Sequence, residues 1–504
     1  MKKNDNKFNL IKKSAESGSA EAQFQLANIY YDGKFVTPDY TQALEWLRKS
    51  AEQGYVKAQF HLGTMYFTGN KVTQDHAQAF EWLKKAADQG HAEAQSSLGL
   101  LYSMGQGVHQ DSGKALELFQ KAAERGIAEA QFRLGVMYNT GDYVAQDIEK
   151  SIKLWEKAAN QGHPYAQLNL ANLYYDGKVV SQDYKKAFML YKKAIKYDIP
   201  EAQLNLGIMY YAGYSVRKDY TKAFRLFLRS AEQGNANAQY HLATMYEDGY
   251  GVRHDILKAI EWYKKAADKG QVVAQFNLGF IYHDGKEIPK DYTQSIEWYK
   301  KAADQGYVEA LINLGDMYIS GEGVPKDSEQ GIELWKKAAE KGCDDALFNL
   351  GLIYYIGHGV DQDYAKAAEW YKKAVAVGHL SAQVNLGRMY VNGYGVTQDA
   401  KQGFELFKKA AEQDHPIAQF NLAIMYEEGQ VVPQDDKQAF ALCKKSADKG
   451  YPDALYHLGT MYFDGKGVDK NFILAKEYFL MACKSGHQEA CQRYSEMLKL
   501  GLQP

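Results

Sequence analysis

The sequence repeats with a period of 36 residues, and no other feature restricts the possible fold as strongly. Tyrosine and glycine recur in one register, Tyr30 and Gly33 being the first pair, without insertion or deletion. A fixed period of this length is typical of stacked structural units, so we do not expect the about three separate domains that chain length alone would suggest. The alanines of the period are Ala22, Ala58, Ala94, Ala130, Ala166, Ala202, Ala238, Ala274, Ala310, Ala346, Ala382, Ala418, Ala454 and Ala490.

Each copy is predicted to form two helices. We name every position by its equivalent in the first full copy, so that the 31 position means residue 31 and all residues at multiples of 36 beyond it. Ala22, Leu26 and Tyr30 fall on one stripe at the helical period, which predicts an amphipathic helix A. After a break that begins at Gly33, Asp39 stands where its carboxylate can cap a helix B, and Gly54 ends that helix.

One such hairpin cannot bury both of its faces, so neighbouring hairpins must stack. The predicted fold is all-α: a right-handed α-solenoid superhelix of 36-residue helix-turn-helix repeats. The expected organisation is a half repeat with helix B only at 1–18, thirteen repeats at 19–486, and a half repeat with helix A only at 487–504. This arrangement leaves no segment for a separate catalytic domain.

The repeat resembles a known family. The pattern is seen almost whole in Ala238, Leu242, Met245, Tyr246, Gly249, Gly251, Val252, Asp255, Ala259, Ala266, Ala267 and Gly270. It is similar to the Sel-one-like (Sel1-like) repeat, a relative of the tetratricopeptide repeat, over essentially the whole chain. The resemblance implies a scaffold or adaptor that binds other proteins, in a family common in bacteria that includes host-interaction factors.

The 28 and 31 positions of helix A vary in chemistry while their neighbours barely change. By the helix period they point away from helix B. In tetratricopeptide-like solenoids this face lines a concave groove, and the tyrosines and phenylalanines here suit protein-interface anchors. The candidate groove residues are Asn28, Tyr31, Thr64, Phe67, Leu100, Asn139, Asn172, Tyr175, Ile208, Tyr211, Glu247, Phe280, His283, Asp316, Tyr355, Arg388, Glu427 and Phe463.

Several repeated residues have an architectural alternative. The apolar groove members Leu100, Ile208 and Leu352 could instead pack against adjacent helices, and the phenylalanines of the 24 position are expected to pack between repeats. The glutamine of the 23 position is nearly invariant, which favours a structural hydrogen bond over a row of ligand-binding glutamines that runs along the repeats (a ligand ladder). Paired lysines such as Lys84 and Lys85 are followed by acidic residues and are expected on a solvated convex face.

Charge and hydropathy exclude several classes of function. Lys and Arg number 60 against 62 Asp and Glu, a net charge of -2, which predicts no nucleic-acid partner. No run of 18 apolar residues occurs, so no membrane insertion is expected, and no signal peptide precedes the repeats. The default expectation is a soluble cytoplasmic protein with a protein or peptide partner, secretion by a signal-independent route being left open. No zinc-type spacing occurs among His and Cys, so neither a metal nor a cofactor is expected.

Two Ser-x-x-Lys motifs bear on whether the protein is an enzyme. Ser-x-x-Lys occurs at Ser215 and at Ser446, and cysteine-rich relatives of the family have been labelled β-lactamases, so a hydrolase of that type is the alternative. The Ser-Asp-Asn and Lys-Thr-Gly partners of that chemistry are missing, which favours a protein that is not an enzyme.

Cys483 and Cys491 flank the last B-to-A turn with a spacing similar to that of secreted relatives, but we expect two free thiols because no export signal is present.

Overall fold

The computed structural model describes residues 2–499, with side chains from Lys7 onward. Met1 and residues 500–504 of the predicted terminal half repeats lie outside the described residues. Every regular element within 2–499 is helical. The chain divides into two compact units, 2–259 and 260–499, with the division inside helix α15 (Ile256–Asp268).

The first unit contains fourteen complete α-helices and a 3-10 turn at Ile195–Tyr197. They are α1 (Lys2–Glu16), α2 (Ala20–Asp32), α3 (Tyr40–Glu52), α4 (Val56–Thr68), α5 (His76–Asp88), α6 (Ala92–Met104), α7 (Ser112–Glu124), α8 (Ala128–Thr140), α9 (Ile148–Asn160), α10 (Pro164–Asp176), α11 (Tyr184–Ala194), α12 (Pro200–Ala212), α13 (Tyr220–Glu232) and α14 (Ala236–Asp248).

The second unit contains thirteen complete α-helices after α15. They are α16 (Val272–Asp284), α17 (Tyr292–Asp304), α18 (Val308–Ser320), α19 (Ser328–Glu340), α20 (Asp344–Ile356), α21 (Tyr364–Ala376), α22 (Leu380–Asn392), α23 (Ala400–Glu412), α24 (Pro416–Glu428), α25 (Asp436–Asp448), α26 (Pro452–Asp464), α27 (Phe472–Lys484) and α28 (Gln488–Lys499). Even-numbered helices are the predicted helix A and odd-numbered helices are helix B.

Helix ends follow the predicted capping residues. The Asp39 carboxylate accepts the backbone N–H of Gln42 at 3.0 Å, which satisfies one of the free amides at the start of α3. The same bond begins most helices B, and Asn471 makes it to two amides of α27. Helix A ends at a left-handed residue, Gly33 in the first copy with φ 67°.

The aspartates that replace the helix B glycine keep its conformation. Asp198 has φ 60° and Asp414 has φ 65°, in the left-handed region where glycine stands in the other copies. The last turn before Asp198 tightens into the 3-10 segment, a common way to end a helix. The predicted ability of aspartate to occupy this turn is confirmed.

The core of each unit lies along the helix-helix contacts. In each unit a helix packs mainly against the helix before it and the helix after it, as in an α-solenoid. The alanines of the 22, 43 and 51 positions, for example Ala58, Ala79 and Ala87, are buried among leucines and aromatic rings. Small residues therefore set the distance between helices, and the variable positions sit on a frame that is nearly the same in every copy.

Candidate protein-binding surface

We call the side chains of the 28 and 31 positions the A surface. Every candidate groove residue of the 31 position is partly buried. Among those of the 28 position, Phe280, Asp316 and Arg388 are exposed and the others are partly buried. The A surface therefore reaches solvent in both units while packing on the residues beneath it.

The A surface does not point away from helix B as the helix period alone suggested. The Tyr31 ring meets the Tyr40 ring of α3 edge-on at 5.6 Å, and the Asn172 side chain contacts Tyr191 of α11. Helix B begins close to the end of helix A because the connecting turn is short, so its first residue meets the 31 position. This corrects the expected direction of these side chains.

Two further positions join the A surface and were missed in the sequence. They are the 40 position, which begins helix B, and the 34 position, which follows the C-terminal glycine of helix A. Tyr175 of α10 packs against Tyr184 at 5.5 Å and against Tyr214 of the next repeat at 6.0 Å. Tyrosines in register at both positions were the signal that could have found them.

A concavity of about 420 Å³ lies between the first two full repeats. Its walls include the candidate residues Asn28, Tyr31 and Thr64, together with Leu47. The Asn70 side-chain amide donates to the Tyr31 hydroxyl at 2.8 Å across the two repeats. The structure thus brings together candidate residues that are 36 residues apart in sequence.

Two members of the A surface with titratable side chains, His283 and Glu427, contact residues of a neighbouring repeat. In the second unit His283 Nε2 lies 3.2 Å from Glu322, whose other oxygen accepts the Tyr292 hydroxyl. This hydroxyl bond lowers the pKa of Glu322, and His283 lowers it further. In the same unit Glu427 lies 2.6 Å from both His457 and Lys466. His283 and Glu427 are thus already partnered, whereas Asp316 and Arg388 of the same surface are exposed.

Buried tyrosines hold asparagines beneath the A surface. The amides of Asn205, Asn277, Asn313 and Asn385 donate to the hydroxyls of Tyr191, Tyr263, Tyr299 and Tyr371, each 14 residues earlier. Burial raises the pKa of Tyr299 and Tyr371 to about 12, so these hydroxyls stay protonated. The sequence signal of this bond is a tyrosine in helix B followed 14 residues later by an asparagine in the next helix A.

The repeated glutamines are structural, as predicted. The Gln59 side-chain amide donates to the Ala51 carbonyl at 3.1 Å, and its oxygen accepts from Gln89 at 2.7 Å. The same bond to the 51 position forms at the 23 position in most copies of the first unit. These side chains link successive hairpins and are not available as a ligand ladder.

The 24 position packs between repeats, as predicted. The Phe60 ring stacks on His91 at 4.6 Å, and the Phe132 ring stacks on His163 at 4.5 Å.

Of the paired lysines, Lys85 is exposed and places its ammonium 4.2 Å from the Trp82 ring centre, a cation-π contact.

Each serine of the two Ser-x-x-Lys motifs has a place in the repeat architecture. Ser446 is fully buried and its hydroxyl donates to the Pro416 carbonyl at 2.8 Å. Ser215 stands in a turn with φ 61°, more than two hundred residues away in the chain. Among residues 2–499 no group of three or more His, Cys, Asp or Glu side chains is arranged to hold a metal ion. Over the same residues, no helix combines the length and apolarity needed to cross a membrane.

Cys483 and Cys491 form a disulfide, which corrects the expectation of two free thiols. The last turn of α27 and the start of α28 bring the two Cα atoms to 4.7 Å, within the range that a disulfide spans. The earlier expectation rested on the compartment rather than on geometry. Cys343 and the buried Cys443 are free thiols.

Comparisons with known proteins agree with this architecture. The Sel1 repeat model matches thirteen consecutive segments, from 20–55 to 452–487. The chain is similar to the crystal structure of c5321, a protective antigen of uropathogenic Escherichia coli strains with an SLR fold: 34% identity, TM-score 0.70, covering 99% of this chain and 98% of that chain. A Sel1 repeat protein from Oxalobacter formigenes is 31% identical over 48% of this chain and 96% of its own, with a TM-score of 0.43. No curated protein matches the chain.

Proposed function

The chain belongs to the Sel1 repeat family, and from that premise we propose that it is a non-enzymatic scaffold that binds a protein or peptide partner through the A surface. Sel1 and tetratricopeptide-like repeats are typically protein-interaction scaffolds. The thirteen copies share a frame of alanines, with the glutamine of the 23 position in ten copies and a capping aspartate in twelve, so the frame cannot carry specificity for one partner. Specificity must come from positions that differ between copies.

One observation carries the proposal: the A surface changes its chemistry from repeat to repeat while the residues beneath it hold it in place. Across the copies the 31 position holds tyrosine, phenylalanine, histidine, glutamate, asparagine, serine, isoleucine or valine, on a hairpin whose buried positions change little. Tyrosine and phenylalanine offer large contact areas for few rotatable bonds, which is why they are enriched at protein interfaces. Their contacts with the 34 and 40 positions pre-organise the rings and reduce the entropy lost on binding.

The finer proposal is a bacterial signalling or host-contact factor. Its support is the 34% identity with a protective antigen of uropathogenic Escherichia coli over 99% of the chain. This part of the proposal concerns where the partner comes from, and the surface that binds it is tested separately.

The test replaces the aromatic side chains of the A surface. A variant carrying Tyr31→Ser, Phe67→Ser, Tyr175→Ser, Tyr211→Ser and Tyr355→Ser is compared with the original chain in affinity capture from cells of the source organism and of a host. We expect the captured partner to be lost, because the ring contacts that anchor it are removed.

Matched controls separate binding from folding. Tyr143→Ser, Tyr165→Ser and Tyr197→Ser change exposed tyrosines outside the A surface and should leave capture unchanged. Leu206→Ala removes a buried core side chain and should cost about 2–5 kcal/mol of unfolding free energy. A partner retained by the five-residue variant, or an unfolding loss in that variant as large as that of Leu206→Ala, would show that the A surface is not the binding site.

A further inference from the structure

The first unit has a region of the A surface that is made of two groups of three tyrosines, in successive repeats. We call it the tyrosine strip: Tyr175, Tyr184, Tyr211, Tyr214, Tyr220 and Tyr250. Tyr184 and Tyr214 stack at 4.7 Å with their planes 6° apart, and Tyr220 and Tyr250 stack at 4.9 Å with planes 18° apart. Tyr211 joins the second pair edge-on, at 5.3 Å from Tyr220.

The backbone under the strip is fixed. Tyr184 and Tyr220 are the first residues of α11 and α13, directly after capping aspartates. The Tyr214 backbone N–H donates to the Met209 carbonyl at 3.0 Å, and the Tyr250 N–H donates to Met245 at 3.1 Å. The rings are therefore held in place before any ligand arrives, which lowers the entropic cost of binding.

The strip still offers apolar surface. Tyr214 is 37% exposed and Tyr250 is 42% exposed, although both are stacked. Burial raises the pKa of Tyr175 and Tyr211, and the neighbouring rings and the carboxylates of Asp176 and Asp248 raise it further. The phenols of Tyr175 and Tyr211 are thus uncharged at neutral pH, and no Asp, Glu, Lys, Arg or His belongs to the strip.

The hydroxyls of the strip are unused. Among the described residues none of the six tyrosine hydroxyls makes a hydrogen bond within the chain, whereas the buried Tyr191 hydroxyl donates to Asn172 at 2.6 Å. A hydroxyl that lacks a protein partner can donate to a ligand carbonyl. A fitting ligand is uncharged, has apolar rings or methylenes, and presents carbonyl acceptors.

The spacing of the strip favours one such ligand. The Asn205 amide of α12 donates to the Asn172 side chain of α10 at 3.0 Å, so side chains of equivalent helices in successive repeats meet. Helices in contact stand about 8–10 Å apart. A polyproline II helix advances about 9 Å per three-residue turn, has an exposed backbone of carbonyl acceptors and no amide hydrogen at proline.

From this match we propose that the tyrosine strip binds a proline-rich segment in the polyproline II conformation, with prolines on the stacked pairs Tyr184–Tyr214 and Tyr220–Tyr250. The tyrosine hydroxyls donate to carbonyls of the segment. The proposal rests on the proposed function, since it names the class of partner for one part of the A surface.

The test measures binding of uncharged peptides to the full chain by calorimetry or by nuclear magnetic resonance. The probes are acetyl-dodecaproline amide and, as its flexible uncharged counterpart, a Gly-Ser peptide of equal length. We expect dodecaproline to bind at least about tenfold more tightly, because its conformation is preformed and its rings fit the tyrosines. Equal affinity for both peptides would overturn the proposal.

Variants locate the site. Tyr184→Ser with Tyr220→Ser should weaken dodecaproline binding at least about tenfold. Tyr364→Ser with Tyr394→Ser removes a similar stacked pair of the second unit, 5.2 Å apart and joined edge-on by Tyr355, and should change affinity less than about threefold. Unchanged binding in the first variant would place the peptide elsewhere and contradict the proposal.

A positively charged peptide probe distinguishes the proposed binding of proline from binding that is driven by charge. Residues of both signs stand next to the strip in the chain, among them Asp176, Asp248, Arg217 and Arg253. A Gly-Ser-Arg peptide that binds more tightly than dodecaproline, and loses affinity as salt rises, would replace the proline-rich ligand by a basic one. If dodecaproline fails but the five-residue A-surface variant still loses its captured partner, the scaffold function stands and only this inference falls.

Discussion

At His241 the residue differs from the asparagine of most other copies, and this difference makes the free energy of unfolding depend on pH. Its ring stacks on Phe227 at 5.1 Å, in a position where most copies have asparagine. Burial lowers the pKa of His241 to about 4. The neutral ring fits the site, and the imidazolium form does not, because charge is costly away from water.

We expect His241 to destabilise the protein in acid. Between pH 6.5 and 4 the unfolded chain binds a proton that the folded chain does not, so stability falls as pH falls, by about 2 kcal/mol between pH 7 and pH 5. His241→Asn should remove this loss, measured as the change in urea midpoint between the two pH values. His358→Asn, which changes an exposed histidine, is the control and should keep it. An equal acid loss in His241→Asn would contradict the account.

At the scale of the element, the sequence predicts most of what the structure contains. The two helices, the capping role of Asp39, the left-handed turn at Asp198 and the glutamine bonds follow from local rules repeated in every copy. The direction in which the A surface faces does not follow from these rules, because the helix period shows which face of helix A a residue is on but not where helix B begins. The partners of Tyr175 at the 34 and 40 positions depend on that geometry.

The close contact between helices A and B predicts opposite effects for two glycines. A Cβ on Gly135 of α8 would stand 2.6 Å from the Trp155 ring, which is anchored by a bond to the Phe132 carbonyl. Gly135→Ala should therefore cost about 1–3 kcal/mol despite its better helix propensity. A Cβ on Gly113 of α7 meets only the Asp111 carboxylate, at 3.4 Å, so Gly113→Ala should add up to about 1 kcal/mol. Chemical denaturation measures both, and a stabilising Gly135→Ala would show that the helices are farther apart.

At the scale of the whole molecule, each repeat contacts chiefly its neighbours, so a change at one end should stay at that end. The disulfide between Cys483 and Cys491 closes a loop over a sequence separation of 8 residues at the last described hairpin. The sequence alone could not show whether these cysteines are bonded, because their spacing is compatible with both free thiols and a disulfide. The geometry of the turn between α27 and α28 determines which of the two forms.

Removing the disulfide should loosen the C-terminal end alone. With Cys483→Ser and Cys491→Ser the last described helix, α28, should lose about 2–3 kcal/mol of protection, which corresponds to the loop-closure entropy of a loop of this size. Hydrogen exchange followed by mass spectrometry should show faster exchange in α28 and unchanged exchange in α2–α12. Faster exchange throughout the first unit would mean that the array unfolds as one body and would contradict local coupling.

The central claim is that the A surface contacts the partner, and site-specific photocrosslinking tests it most directly. Tyr211→p-benzoylphenylalanine places the crosslinker on the A surface, and Tyr197→p-benzoylphenylalanine places it on an exposed tyrosine outside that surface. The account predicts a covalent adduct with the captured partner from position 211 and none from position 197. An adduct from position 197 alone would contradict it and move the binding site off the A surface.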